Sequence, residues 1–283
     1  MNSSPGGPLH FFNGRFVAEG EISLSPRDLG FSRGYAVFDF LRTYPHHRPF
    51  KLGEHVGRLF ASANLIGLAM PWTTEQVEKW VAETLAVNTT PYEKFIKIIV
   101  SGGISDAMYP AGDPTIVILV DPAIEYPREQ YEKGVGVILV RHERYNFAAK
   151  TNNYIEGVKQ TQHARAAGAV EPVYYSDSQV FEGSNSNIFA VVNGALQTPA
   201  SNVLAGITRA TLLEILRQDM RVEARDFGVR ELLDAREVFL TGSGKGVVPV
   251  VSIDGKPVGD GQVGPVTREV MDRFEKYTLS DVW

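Results

Sequence analysis

Apolar positions in this chain follow two rhythms, unbroken short runs and a three-to-four-residue recurrence, with compact turn signals between them. Apolar runs at 95–100, 116–120, 135–140 and 238–240 predict buried strands. Asn13-Gly14, Asn193-Gly194 and Asp254-Gly255 each adjoin strand-like segments and predict tight hairpins, because these dipeptides accept positive φ. Val56, Leu59, Phe60, Ala63 and Ile66 recur at helical spacing, and Met70-Pro71 reads as the stop. Thr73 with Gln76 predicts a capping box ahead of Val77, Trp80, Val81 and Leu85. Further helices are predicted over 154–167, closed by Gly168, and over 208–219; a last one opens at Pro265 and carries Val266, Val270 and Phe274.

The segment 121–127 follows a strand and holds Pro122 and Pro127, so it reads as an ordered linker. It divides the chain into a smaller α/β half, 1–120, and a larger one, 128–283. No repeat or low-complexity segment interrupts either half.

Composition narrows the function classes. A formal charge of −5, with Lys and Arg dispersed, argues against binding a nucleic-acid backbone. The absence of cysteine excludes disulfides, a thiol nucleophile and thiolate metal sites, and the six histidines lack metal-ligand spacing. The start, Met1-Asn2-Ser3-Ser4-Pro5-Gly6-Gly7, lacks the basic and apolar regions of a signal peptide, and no apolar run approaches a membrane span. A cytoplasmic protein is expected.

Three elements carry candidate chemistry. Lys150, in Asn146-Phe147-Ala148-Ala149-Lys150-Thr151, supplies an amine that can attack an aldehyde if a pocket of low polarity lowers its pKa. Glu182, ahead of Gly183-Ser184-Asn185-Ser186-Asn187, supplies a carboxylate suited to a pyridine nitrogen. Gly206-Ile207-Thr208-Arg209 opens a helix whose free N–H groups suit a phosphate. Singly, each has an ordinary reading: a loop-edge lysine, a turn glutamate, a plain helix cap. Arg58 on the first amphipathic helix would ordinarily be solvated. As an ordered set they are what a pyridoxal phosphate enzyme needs. Thr241-Gly242-Ser243-Gly244-Lys245-Gly246 is no P-loop, because Phe239 stands where the first glycine is required and Gly246 where Ser or Thr is. It reads as a glycine-rich turn able to hold an anion.

Across six ordered blocks the chain resembles the class IV aminotransferases, the fold-type IV pyridoxal phosphate family. It includes branched-chain and D-amino acid aminotransferases and aminodeoxychorismate lyase. The blocks are 27–39, 54–59, 150–154, 182–189, 206–209 and 241–250. The resemblance implies an α/β (α+β) fold with a small N-terminal α/β domain and a larger C-terminal pseudobarrel domain, pyridoxal 5'-phosphate as cofactor, and a homodimer. By the same resemblance Lys150 is the Schiff-base and proton-transfer residue, and Glu182 partners the pyridine nitrogen. Arg58, Ile207, Thr208 and Ser243 surround the phosphate, and Tyr154 lies near the ring hydroxyl.

Substrate contacts are expected from Arg33, Phe38, Lys97, Asn185, Gly244 and Lys245. The arginine-plus-histidine pair of well-studied D-amino acid aminotransferases is missing, since 101–105 reads Ser-Gly-Gly-Ile-Ser. Arg33 replaces the branched-chain enzymes' aromatic residue before Gly34, and Lys245 replaces a small residue in their carboxylate loop. Some less typical D-amino acid aminotransferases resemble both positions but carry arginine where Asn185 stands. Lys97 matches a lysine of aminodeoxychorismate lyases. Arg33, reaching across a dimer interface, and Lys245, in a glycine-rich turn that leaves its amine accessible, are therefore the candidate cations for a substrate carboxylate. The expected activity is ping-pong transfer of an amino group between an amino acid of undecided chirality and a 2-oxo acid. A lyase such as aminodeoxychorismate lyase is the alternative, and a silent binding protein is disfavoured by the intact Lys150/Glu182 pair.

Overall fold

Asn13 and Gly14 adopt φ of 45° and 86°, as a tight hairpin requires, and join β1 (Leu9–Phe12) to β2 (Arg15–Ala18). The computed structural model describes residues 7–280 and 282–283, so Met1 to Gly6, which carried most of the signal-peptide reading, lie outside it. The chain then forms α1 (Leu29–Arg33), β3 (Ala36–Tyr44), β4 (Arg48–Pro49), α2 (Leu52–Leu65), α3 (Thr74–Ala86), β5 (Lys94–Ser101) and β6 (Thr115–Pro122). Among the described residues these strands build a six-stranded sheet in the order β2-β1-β6-β5-β3-β4. Val56, Leu59 and Ala63 of α2 and Val77 and Val81 of α3 pack with Val37, Leu41, Ile96, Ile98 and Ile118 of the sheet. The Thr73–Gln76 capping box forms as expected. One boundary differs: α2 stops at Leu65, because Gly67 at φ 70° turns the chain before Met70-Pro71 is reached.

The rest comprises α4 (Arg128–Glu132), β7 (Val135–Arg141), α5 (Ile155–Ala166), β8 (Glu171–Ser176), β9 (Gln179–Gly183), β10 (Asn187–Val192), β11 (Ala195–Thr198), α6 (Ile207–Leu216), β12 (Val222–Ala224), α7 (Val229–Leu233), β13 (Val238–Gly242), β14 (Gly246–Ile253), β15 (Lys256–Pro257) and α8 (Pro265–Leu279). Its sheet runs β12-β11-β10-β13-β14-β7-β8-β9, with β15 paired to β14. Asn193-Gly194 and Asp254-Gly255 make the two predicted hairpins, and Pro265 opens α8. The predicted helix 208–219 is shorter, ending at Leu216. Val137, Val173, Ile188, Leu240 and Val250 centre this core.

By contacts the chain falls into two compact units, Met1–Ile124 with Ala149–Asn153, and Glu125–Ala148 with Tyr154–Trp283. Two features depart from the division read in the sequence. Asp121 and Pro122 continue β6, and the Lys150 segment belongs with the first unit. The reason is backbone pairing: Phe38 N–H donates to the Lys150 carbonyl (2.9 Å), and Asn152 N–H donates to that of Ala36 (3.1 Å). No described helix is long and apolar enough to cross a membrane.

Candidate active site

In the first unit, Lys150 is fixed by its main chain. Its N–H donates to Ser62 Oγ on α2 (3.1 Å), and its carbonyl is taken by β3. The side chain is thereby set beside β3, where Nζ lies 4.6 Å from the centre of the Phe38 ring. Lys97 Nζ lies 5.0 Å from the same ring. Strand β5 brings Lys97 there by pairing Ile99 with Phe38 and Lys97 with Phe40. Burial pushes the Lys97 amine below its ordinary pKa. Of the expected substrate residues, Phe38 thus lies beside Lys150, and Lys97 lies by the same ring. Arg33 stands exposed at the end of α1, where Gly34 at φ 68° turns the chain into β3.

Arg58 sits in a buried network that its place on an amphipathic helix did not reveal. Its Nε and Nη2 donate to the two oxygens of Asp39 (2.8 Å each), and His55 Nδ1 lies 2.6 Å from Asp39 Oδ1. Burial disfavours an ionised Asp39, but Arg58 and His55 outweigh it and hold the carboxyl far below the usual carboxylate range. Burial also pushes the His55 imidazole down, against the pull of Asp39. A neutral His55 beside an ionised Asp39 must donate from Nδ1, which leaves Nε2 buried without a hydrogen-bond partner among the described residues.

This fixes a pH dependence. In the unfolded chain a histidine gains its proton near pH ~6.5, whereas folded His55 resists it. The unfolded state therefore binds more protons as pH falls through that value, and stability drops by up to about 1.4 kcal/mol per pH unit. His55→Gln, whose amide can still donate to Asp39, is expected to flatten the melting temperature between pH ~5 and ~6.5. An unchanged slope would show that another group titrates.

In the second unit, Glu182 ends a buried stretch of β9, and three donors converge on it. Arg144 Nη1 pairs with Oε1, while Asn187 Nδ2 (3.2 Å) and Leu204 N–H (2.9 Å) donate to Oε2. Asn187 Nδ2 also donates to the Leu204 carbonyl (3.0 Å), so one amide ties Glu182 to the loop that enters α6. That helix starts at Gly206 with no side-chain cap, leaving the first-turn N–H groups of Ile207 and Thr208 to seek an acceptor. Strand pairing sets Thr241 opposite Asn187, and the buried Thr241 Oγ1 has no partner among the described residues. Ser243, Gly244 and Lys245 form the turn between β13 and β14. A carboxylate, an uncapped helix start and an orphaned hydroxyl on adjoining segments are a donor and acceptor set that fits a phosphorylated pyridine. Tyr154 is the N-cap residue of α5 and faces Ser184 and Asn185 across a surface cavity.

Gly206 is required by close approach. Its φ of −69° suits any residue, yet a Cβ there would overlap Asn187 Oδ1. Asn187 cannot retreat without releasing Glu182. Gly206→Ala is therefore expected to lower stability by about 1–3 kcal/mol and to weaken binding of the expected pyridoxal 5'-phosphate, as read by thermal melts and by titration with that compound. Wild-type values in both would remove the clash.

Lys245 differs from its expected accessibility. Its amine is tied to Glu171 Oε1 (3.1 Å) and Asn185 Oδ1 (2.7 Å), because Glu171 is buried and draws a counter-charge. Arg144, Asp39, His55 and Glu171 had been given no role from the sequence, although Asp39 and His55 fall within the blocks 27–39 and 54–59. For Arg144 a signal existed: it is the nearer of two arginines, Arg141 and Arg144, ahead of the Lys150 stretch.

The family profile described as "Amino-transferase class IV" matches residues 36–253. The chain belongs to the class IV aminotransferase family. It is 34% identical over 277 residues to a Methanocaldococcus jannaschii protein assigned as a branched-chain-amino-acid aminotransferase, covering 94% of each. It is 30% identical over 278 residues to the D-alanine aminotransferase of Staphylococcus aureus, covering 95% of this chain and 98% of that one. A branched-chain amino acid aminotransferase from T.th., solved with pyridoxamine 5'-phosphate, superposes with a TM-score of 0.90 at 27% identity, covering 96% of this chain and 94% of that one. The expected fold and the transaminase class are thereby met, and relatives named for branched-chain amino acids and for D-alanine leave the donor's hand open.

Proposed function

We propose that this class IV aminotransferase uses pyridoxal 5'-phosphate to move an amino group between an amino acid and a 2-oxo acid. The observation that carries the reading is the triply held Glu182 joined through Asn187 to the uncapped start of α6. When bound, the cofactor supplies an aldehyde for the amino group and a pyridinium ring that draws electrons from the substrate's α-carbon. Lys150 would hold the cofactor through its amine, and the same amine would take the substrate's α-proton and return it. Phe38 receives the Lys150 ammonium on its ring face and limits the arc through which the amine swings. Glu182 keeps the pyridine nitrogen protonated, and Arg144 keeps Glu182 aligned. Ile207, Thr208 and Ser243 would hold the phosphate, and Arg58, whose Nε–Nη2 edge Asp39 fixes, is the guanidinium that the family resemblance assigns to it. Tyr154 takes the ring hydroxyl. Arg33, Phe38, Lys97, Asn185, Gly244 and Lys245 form the substrate side.

Single L- and D-amino acids added to cofactor-loaded protein test this. The expected result is loss of the near-visible absorbance band with one set of amino acids and its return with a 2-oxo acid. No band, or no response to any amino acid, would overturn the reading; release of pyruvate from aminodeoxychorismate without a 2-oxo acid would replace it with the lyase.

A further inference from the structure

Resting on that reading, we propose that Glu171 is a positioning residue that sets how strongly the site attracts a substrate carboxylate, by holding the Lys245 ammonium in an internal ion pair. Glu171 opens β8 and is 2% exposed, and the Lys245 side chain is 13% exposed. The Glu171 carboxylate is fixed by more than Lys245. Ser186 Oγ donates to Oε1, and Ser184 Oγ lies 3.5 Å from Oε2. A Cβ on Gly183 would lie 2.7 Å from Glu171 Oε1, so the turn that follows Glu182 is built around this carboxylate. Asn185 in the same turn takes a second Lys245 proton through Oδ1 at 2.7 Å. Tyr131 donates to the Lys245 carbonyl (2.9 Å) and secures the turn from below its side chain.

An ammonium has three donors, and here two have acceptors. One remains for an incoming carboxylate, but the positive charge it would meet is already balanced by Glu171. The attraction between Lys245 and Glu171 is strengthened by their burial, and a substrate must compete with it. A lysine in the substrate region therefore contributes direction without net attraction, and Glu171 is the cause.

Glu171→Gln removes the opposing charge and keeps the side chain's size. Apparent affinity for 4-methylpentanoic acid, a carboxylate without an amino group, is expected to rise about fivefold or more by calorimetry on cofactor-loaded protein. KM for amino acid and for 2-oxo acid should fall in step while kcat changes by less than about twofold. An amine lacking the carboxylate should be unaffected, and Glu171→Asp should return affinity towards the starting value. Should Glu171→Gln fail to fold, Glu171→Asp decides, because its shorter carboxylate withdraws from Lys245 and acid affinity should still rise, by about twofold. Equal or weaker binding by folded Glu171→Gln, or by Glu171→Asp where Glu171→Gln does not fold, overturns the proposal. A parent protein that answers no amino acid would instead sink the transaminase reading and this inference with it; a normally responding parent with an unmoved Glu171→Gln sinks this inference alone.

Discussion

Lys150→Ala is expected to abolish transamination, by about 10⁴-fold or more, while leaving the protein folded. The two halves of this expectation rest on different atoms. Two main-chain contacts tie Lys150 into the first unit, its N–H to Ser62 and its carbonyl to Phe38, and alanine keeps both. What is lost includes the ammonium over Phe38, worth about 0.5–1 kcal/mol, and the reactive amine itself. Turnover by single half-reactions and a thermal melt separate the two. A control lies within the same site, because Lys97 shares the Phe38 ring at 5.0 Å and burial lowers its pKa as well. After borohydride reduction the cofactor should be found on the Lys150 peptide. Recovery on Lys97, or turnover of Lys150→Ala within tenfold of the parent, would move the chemistry to another amine.

Much of the fold was legible wherever local chemistry decides the structure. Asn13-Gly14, Asn193-Gly194 and Asp254-Gly255 all form hairpins, because few residues accept consecutive positive φ. Strand β3 was hidden. Its inward positions after Ala36 are Val37, Asp39, Leu41 and Thr43, and two polar residues break the apolar alternation that marks a half-buried strand. Those polar residues are buried because partners distant in sequence satisfy them: Asp39 by His55 and Arg58, and Thr43 by Glu93.

The same limit shaped the reading of the site. Lys150, Glu182 and the start of α6 sit in compact motifs and could be named. Asp39, His55, Arg144 and Glu171 act through pairings that only folding creates, and a charged residue read alone defaults to solvent. Lys245 shows the converse. Its glycine-rich surroundings suggested an open amine, yet residues far off in sequence had already claimed it.

Glu182→Gln is expected to slow the first half-reaction by about 10²–10³-fold with cofactor still bound. The change keeps the shape of the side chain but exchanges an acceptor-only carboxylate for an amide with one acceptor and one donor end. In the native arrangement Arg144 faces one oxygen, and Asn187 and the Leu204 N–H face the other. Whichever way the glutamine turns, its NH₂ must oppose at least one of these donors, so stability should fall by about 1–3 kcal/mol besides. The larger effect is chemical. Without the Glu182 charge nothing would hold a proton on the pyridine nitrogen of a bound cofactor, and its draw on the α-carbon's electrons would be lost. Cofactor affinity should change far less, since the groups proposed for the phosphate at the start of α6, Ile207 and Thr208, are untouched. Stopped-flow absorbance on loaded protein mixed with an amino acid reads the rate, and titration of the apo-protein reads the affinity. A near-normal first half-reaction would take Glu182 out of the mechanism, whereas a lost cofactor with unchanged chemistry in the bound fraction would make it a binding residue alone.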